Sequence, residues 1–250
     1  MDDFNNGDIF ATLKAIAIKV NEIFTIVGEW YTRNIDNINK YLLAFADFNI
    51  WCEATEKLAE KQIVFTDDLS LDFAKELCSS PNIDELVQKY YFDNSEHKVA
   101  LLIERCGSSK EITHYEDLYT QTIEAYQRGH YHLACIGMFS ILDGVLADVS
   151  EITTTSFKLR IETIENKIKD EVELNEVDRK TICIYTAMEK IENSLFVFSD
   201  FSQDEPSSLN RHWLVHGRTR KKYTKYDFLK ILLWMDGVFY IHHFDYTNRD

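Results

Sequence analysis

The sequence predicts an all-α protein with a C-terminal up-down helical bundle, preceded by an additional N-terminal helical region. The 250-residue chain contains only 2 Pro and 8 Gly, which leaves few strand breakers and hairpin turns. Apolar residues recur at intervals of three and four over long stretches, and the polar links between these stretches are short. With 45% hydrophobic residues, the chain can bury one large core or two modest ones.

The first predicted region, residues 1–109, contains several helices and has an unknown role. Its apolar periodicity predicts long helices from Ile9 to Val27 and from Ile35 to Trp51. Shorter helices are predicted over Ser70–Cys78 and Asn82–Tyr91, with Ser70 and Asn82 as N-caps, and over Ser95–Cys106. Gly107 is expected at the C′ position of the last helix, and the small residues 107–109 mark the domain boundary.

The second predicted region, residues 110–250, is the bundle itself. Its predicted helices cover Glu111–Arg128, Tyr131–Val149, Phe157–Lys169, Asn175–Phe198 and Tyr223–Phe244. Gly129 separates the first two, which predicts an antiparallel helical hairpin. The segment Asp200–Ser208 is polar and predicts a loop.

The composition favours a cytoplasmic protein that does not interact with membranes. No basic stretch precedes an apolar segment at the N-terminus, so a secretory signal is not indicated. The apolar run from Leu133 to Val149 is short for a membrane span and contains Asp143 and Asp148, which favours a core helix. The 5 cysteines are odd in number and widely spaced, so we expect reduced thiols and no zinc site.

The net charge of −15 argues against a protein that coats nucleic acid, because an acidic surface repels phosphates. Basic residues are nevertheless concentrated near the C-terminus, where Asp227 is the one acid within residues 211–230. The basic residues there are Arg211, Arg218, Arg220, Lys221, Lys222, Lys225 and Lys230. This contrast predicts a confined anion site, with a solvated basic stretch as the alternative.

The most informative segment is Asn210-Arg211-His212-Trp213-Leu214-Val215-His216-Gly217. If it is helical, His212 and His216 share one face, and the long side chain of Arg211 can reach round towards them. Upstream, a glycine-separated pair of helices runs from Glu124 through Gly129 to Gly144. With that hairpin, the segment resembles the R-[N/H/D]-x3-H signature of HEPN-superfamily ribonucleases, and the resemblance covers about residues 113–246.

The resemblance implies RNA cleavage that needs no metal and no cofactor. It implies that His216 is a general acid or base and that Arg211 binds the phosphate, while His212 is a partner acid or an orienting group. Imidazole titrates near neutral pH and can exchange protons, and guanidinium matches phosphate oxygens while staying charged. Which histidine is the acid stays open. Asp143 is expected to orient Arg211 or a histidine, or alternatively to pair with a bundle cation.

Further residues are expected to bind substrate, namely Asn210, Arg218, Arg220 and Lys221, although Asn210 could instead cap the helix. Three other interpretations of the motif remain. The two histidines could bind a transition metal, as in a metal-dependent phosphodiesterase; they could have no function; or the fold could be a non-catalytic module that binds nucleotide, RNA or protein.

The resemblance also implies partners and a biological setting. RNA is the expected substrate, and a homodimer is expected because family members bring two motifs together. The expected role is antiphage defence, by abortive infection or as the toxin of a toxin–antitoxin pair. Because uncontrolled RNA cleavage is toxic, residues 1–109 or a separate antitoxin or regulatory protein are expected to restrain the site.

Overall fold

The computed structural model describes residues 19, 25, 46–153, 156–171, 179–196 and 200–247. Within these residues there are helices and connections but no β-strand, so the predicted all-α class is confirmed. The chain divides into two compact units, Met1–Phe48 and Asn49–Asp250. In the first unit, Lys19, Thr25 and residues 46–48 are helical. The predicted helix from Ile9 to Val27 otherwise lies outside the described residues, as does most of the one beginning at Ile35.

The second unit is a bundle of helices. In chain order these are α1 (49–60), α2 (Leu71–Ser79), α3 (Ile83–Gly107), a 3-10 segment (Lys110–Tyr115), α4 (Glu116–Gln127), α5 (Tyr131–Ser150), α6 (Phe157–Glu171), α7 (Arg179–Leu195), α8 (Arg211–Val215) and α9 (Lys225–Thr247). The predicted helices match the observed ones in order. The largest difference in extent is at α1, because the helix predicted to end at Trp51 continues to Glu60. In addition, the stretch predicted to begin at Glu111 starts as a 3-10 turn, a common start for an α-helix.

The two predicted N-caps are confirmed. The Ser70 hydroxyl accepts a hydrogen bond from the Phe73 N–H at 3.2 Å, and the Asn82 side chain accepts one from the Glu85 N–H at 3.3 Å. The break predicted after Tyr91 is also present, because α3 is kinked over residues 93–96. The N-cap residues of these two helices are therefore predicted correctly from the sequence.

Residues 49–107 belong to the same compact unit as the helices that follow them, so the predicted boundary at residues 107–109 lies inside this unit. The reason is that α3 packs against α9. Gly107 is the last residue of α3 rather than its C′ residue, which corrects the expected role. A Cβ there would lie 2.9 Å from Cε1 of Tyr119, so Gly107 permits the close approach of α4.

The centre of the bundle is α5, which packs against α4, α6, α8 and α9. Among the described residues, it is the one helix long and apolar enough to cross a membrane by length and composition. More than half of its most apolar window is buried inside the bundle, as in the core helix of a soluble protein. Gly137 and Gly144 let Thr122 and Tyr115 approach its backbone closely.

The last helix, α9, completes the core. Its residues 231–235 have 0% exposure, and Phe228 stacks on Tyr126 of α4 with 4.5 Å between ring centroids. Asp236 accepts two hydrogen bonds from Arg105 of α3, both at 2.7 Å. The cysteines at 106, 135 and 183 are buried in this core, while those at 52 and 78 are partly exposed.

Candidate functional site

The motif segment forms its own short helix, α8, held at its N-terminus by Asn210. The Asn210 Oδ1 accepts a hydrogen bond from the Trp213 N–H at 3.1 Å, and Nδ2 donates to the Ser194 carbonyl at 3.4 Å. Asn210 is 2% exposed, so this side chain lies inside the protein. Of the two roles that the sequence left open for Asn210, the structure shows the helix cap.

The C-terminus of α8 is a Schellman turn centred on Gly217. Its φ is +64°, and its N–H donates to the Leu214 carbonyl at 3.1 Å, while the Arg218 N–H donates to the Trp213 carbonyl at 3.0 Å. Glycine suits this position because a side chain disfavours the left-handed region. The helix therefore ends immediately after the motif, and His216 is an exposed C-cap residue.

The two motif histidines are close together, and both lie near Phe201. Their ring centroids are 4.6 Å apart. Phe201 stacks on His212 at 4.5 Å and meets the edge of His216 at 5.9 Å. The Arg218 guanidinium carbon lies 5.3 Å from the Phe201 centroid, within the range of a cation–π contact. Beneath them, Trp213 packs against Phe201 at 5.2 Å and anchors α8.

Arg211 is held by a carboxylate on the central helix. Its Nη2 donates to Asp143 Oδ2 at 3.0 Å, with the two side chains 25% and 29% exposed. Asp143 Oδ1 accepts from Arg160 Nη1 of α6 at 2.6 Å, and the Arg160 side chain is only 5% exposed. Asp143 thus bridges a buried guanidinium and the motif guanidinium. The sequence anticipated both an orienting role and pairing with a bundle cation, and Asp143 makes both contacts.

The basic stretch after α8 packs against the acidic loop that precedes it. Glu205 accepts hydrogen bonds from the Thr219 hydroxyl and, at 2.9 Å, from the Arg220 backbone N–H. Lys221 Nζ donates to the Ser208 carbonyl at 3.1 Å. Arg220 is exposed, whereas Lys221 is partly buried. The contact with Glu205 fixes the path of the backbone that carries these cations.

Five of the eight predicted site residues fall into two contact groups that meet in α8, whereas Asn210 caps this helix and Arg220 and Lys221 lie in the stretch that follows it. One contains His212, His216 and Arg218 around the Phe201 ring; the other contains Arg211 and Asp143. Because α8 has only five residues and is fixed at both ends, the two groups cannot move independently. The arrangement offers the exposed imidazole of His216 and the exposed guanidinium of Arg218 beside the partly buried imidazole of His212.

Sequence reasoning missed two residues of this site. Phe201 lies in a polar loop without periodicity, so nothing in the local pattern distinguished it. Arg160 lies on α6 among polar residues, and its burial depends on Asp143, which is 17 positions away in the chain. The one available signal for the burial of Arg160 was its position just before Ile161 and Ile164, which are both buried.

The sequence also allowed His212 and His216 to bind a transition metal. Within the described parts of the chain, no group of three or more His, Cys, Asp or Glu side chains is arranged to hold a metal ion. The neighbours of the two histidines are instead aromatic rings and a guanidinium. His212 and His216 supply two imidazoles, which could at most be part of a ligand set.

Comparison of the chain with protein-family models, curated proteins and solved structures finds no match. The resemblance to HEPN proteins therefore rests on the motif and the hairpin of this sequence.

Proposed function

We propose that the protein is an endoribonuclease of the HEPN type that cleaves RNA by attack of the 2′-OH on the adjacent phosphodiester. The observation that carries the proposal is the pair of imidazoles 4.6 Å apart on α8, with His216 exposed. Two groups that exchange protons at neutral pH are what this reaction needs.

In the proposed reaction, one imidazole removes the 2′-OH proton as the 2′-oxygen attacks phosphorus. The bond to the 5′-oxygen then breaks, and the other imidazole, as imidazolium, protonates that leaving oxygen. The products are a 2′,3′-cyclic phosphate and a 5′-hydroxyl. His212 is stacked on Phe201 and His216 is more exposed, and either assignment of acid and base balances the protons.

Arginines on both sides of the histidines suit the charge that develops on phosphorus. Arg211 precedes the histidines in the chain and Arg218 follows them, and each would supply a guanidinium to the phosphate. Arg220 and Lys221 extend the cationic surface along the chain. In a protein of net charge −15, this concentration favours one bound RNA segment over general coating of nucleic acid.

The wider setting belongs to the same proposal. We place the protein in the cytoplasm as a homodimer that acts on RNA in antiphage defence, by abortive infection or as a toxin. A separate antitoxin, or the region before residue 110, would restrain it. If deletion of residues 1–48, the first compact unit, changed neither cleavage nor toxicity, restraint by that unit would be excluded.

A non-catalytic HEPN-like module that binds RNA, nucleotide or protein is the second candidate. It is favoured by the engagement of the motif side chains in the structure: Arg211 is bonded to Asp143, and Phe201 covers one face of His212. A binding protein would use the same cations without needing proton transfer.

The test is incubation of the purified protein with RNA, with and without EDTA, alongside Arg211→Ala and His216→Ala. We expect cleavage that resists EDTA and falls by at least about a hundredfold in each variant, the size typical of losing a general acid or base. His114→Ala and Arg128→Ala are matched controls, because both residues are exposed and belong to other elements, the 3-10 segment and the end of α4.

The other outcomes separate the alternatives. Sensitivity to EDTA would support a metal-dependent phosphodiesterase. Intact RNA throughout, combined with RNA binding that weakens in Arg211→Ala, would support the binding module. Equal loss of cleavage in the control variants would show that the effect is one of stability and would remove the support for the motif.

A further inference from the structure

Three helices of the second unit end in the same hydrogen-bonded turn, and one of them lacks the expected glycine. The C′ residues of α4 and α8 are Gly129 and Gly217, with φ of +77° and +64°. The C′ residue of α1 is Gln62, with φ of +58°. Its N–H donates to the Ala59 carbonyl at 2.9 Å, and the next N–H, of Ile63, donates to residue 58 at 3.0 Å, as in a Schellman turn.

Glutamine is a costly choice at this position. A side chain disfavours the left-handed region, and glycine adopts it without that penalty. The turn itself would therefore be better served by glycine at residue 62, as it is at Gly129 and Gly217. The presence of glutamine at residue 62 therefore points to a compensating contact made by its side chain.

That contact is with the segment that enters α8. The Gln62 Oε1 accepts from the Leu209 N–H at 2.8 Å, and Nε2 donates to the Leu209 carbonyl at 2.8 Å and to the Ser194 hydroxyl at 2.9 Å. Gln62 is 4% exposed and Leu209 is 6% exposed. The amide thus binds both polar groups of one buried backbone unit, as a neighbouring strand would.

Leu209 immediately precedes Asn210, the N-cap of α8. The cap fixes the first turn of α8, and the Gln62 amide fixes the residue before the cap. Ser194, the third partner, also has its carbonyl bonded to the Asn210 side chain. One amide from the end of α1 therefore holds the start of the motif helix against α7.

We infer that Gln62 is a positioning residue for the motif helix, and that the left-handed backbone at residue 62 is tolerated for the sake of this clamp on Leu209. The structural part of the inference stands independently of catalysis; its effect on RNA cleavage rests on the proposed function. Residues 61–63 are then part of the site's support, although they precede the motif by almost 150 positions.

The test compares the Gln62→Gly and Gln62→Met variants of the whole chain with the wild-type protein. Gln62→Gly relieves the backbone but removes the clamp, and Gln62→Met keeps a side chain of similar length without its hydrogen bonds. Thr66→Val is the matched control, because the buried Thr66 hydroxyl bonds to the Tyr91 hydroxyl at 3.1 Å in the same part of the chain. The readouts are amide exchange at Leu209, the ring resonances of His212 and His216, and cleavage kinetics.

We expect Leu209 to exchange at least about tenfold faster in both Gln62 variants, because its buried N–H loses its acceptor. The two histidine ring signals should shift or broaden, and kcat should fall about ten- to a hundredfold with little change in KM, since misplacement affects the chemical step. Thr66→Val should leave all three readouts unchanged. Gln62→Gly should meanwhile unfold at a temperature no lower than Gln62→Met.

Unchanged Leu209 exchange and histidine spectra in the Gln62 variants would overturn the inference, as would equal changes in Thr66→Val. If the wild-type protein cleaves no RNA, exchange and spectra still decide whether Gln62 positions α8, so failure of the proposed function is seen separately.

Discussion

Two aspartates of the bundle each bind arginine, but in different ways. Asp236 on α9 has a side chain only 10% exposed and takes both hydrogen bonds from one arginine, Arg105. Asp143 on α5 is 29% exposed and divides its two oxygens between Arg160 and Arg211. The first pair ties α3 to α9 through a carboxylate that is almost buried, although Arg105 itself is 46% exposed and lies 3.8 Å from Asp68. The second pair connects the buried Arg160 to a motif residue.

The difference separates an ion pair that supports the fold from an ion pair that supports the candidate site. Burial raises the pKa of the Asp236 carboxyl, and Arg105 opposes that rise, so the charged pair is kept only because both partners are present. At Asp143, the buried cation Arg160 fixes the carboxylate, which leaves its second oxygen to orient Arg211. We therefore expect loss of the first pair to affect stability and loss of the second to affect activity.

The largest effect is expected for Arg105→Ala. It leaves the buried Asp236 carboxylate without the guanidinium that donates both hydrogen bonds, which should cost about 3 kcal/mol, less than in many fully buried pairs because the Arg105 side chain is 46% exposed. Urea unfolding should show this loss, while the variant still cleaves RNA under conditions where it is folded. The double variant Arg105→Leu with Asp236→Leu should recover much of the stability, and failure to recover would mean that the pair does more than tie two helices.

Asp143→Asn should have a smaller effect on stability and a larger one on activity. Without the carboxylate charge, Arg160 and Arg211 each lose their charged acceptor on Asp143, which should cost about 1–3 kcal/mol. Cleavage should fall by about tenfold or more because Arg211 loses its orientation. Asp148→Asn is the control: Asp148 lies on the same helix, is exposed, and accepts from the Tyr115 hydroxyl at 2.8 Å. Equal activity in both variants would contradict the role given to Asp143.

Gly217→Ala and Gly129→Ala should reduce the stability of the fold by similar amounts, but only Gly217→Ala should change the position of the end of α8. Both glycines have positive φ and no atom within 4 Å of an added Cβ, so each substitution costs about 1 kcal/mol through the backbone alone. Thermal unfolding should shift by similar amounts. RNA cleavage should fall only in Gly217→Ala, because this turn sets the end of α8 beside His216.

The smallest effect is expected from pH, at the end of α9. His242 Nδ1 lies 2.6 Å from Glu111 Oε1, whose side chain is 5% exposed. Burial lowers the pKa of His242, although Glu111 opposes this. Because the folded state binds this proton less readily than the unfolded state, the associated stability is present above about pH 6.5 and is lost as pH falls through the lower pKa of folded His242.

Like His242, Glu111 makes the folded state less stable as pH falls, but it does so over a lower pH range. Burial acts to raise its pKa, but hydrogen bonds from Ser109, its own backbone and His242 outweigh burial and lower it. Unfolding measured from pH 8 to about pH 3 should therefore show declining stability, and His242→Gln should flatten the upper part of that curve. A variant curve parallel to that of the wild type would show that His242 contributes nothing to the pH dependence.

The helices and their caps could be read from the sequence because their causes are local. Ser70 and Asn82 cap the helices that follow them, and Gly129 ends α4 where the sequence places a turn. The short loop from Asp200 was also predicted as a loop. Each of these features depends on residues within one or two turns of the chain.

The site could be predicted only in part because its contacts are long-range. The sequence indicated Arg211, His212 and His216, and it placed Asp143 nearby. It could not show that Phe201 stacks on His212, since aromatic stacking leaves no mark on local periodicity. It also assigned residue 62 to a separate region, whereas Gln62 bonds to Leu209, 147 positions further along.

That separation has a consequence for the order of folding. The hairpin of α4 and α5 joins neighbouring segments and can form early, while the bond between Gln62 and Leu209 closes a loop of nearly 150 residues and must follow. On the proposed function, a growing polypeptide on the ribosome would cleave no RNA until almost all of it had been synthesised. Refolding of Gln62→Gly should proceed at the wild-type rate while its unfolding accelerates, as expected of a contact made after the rate-limiting step.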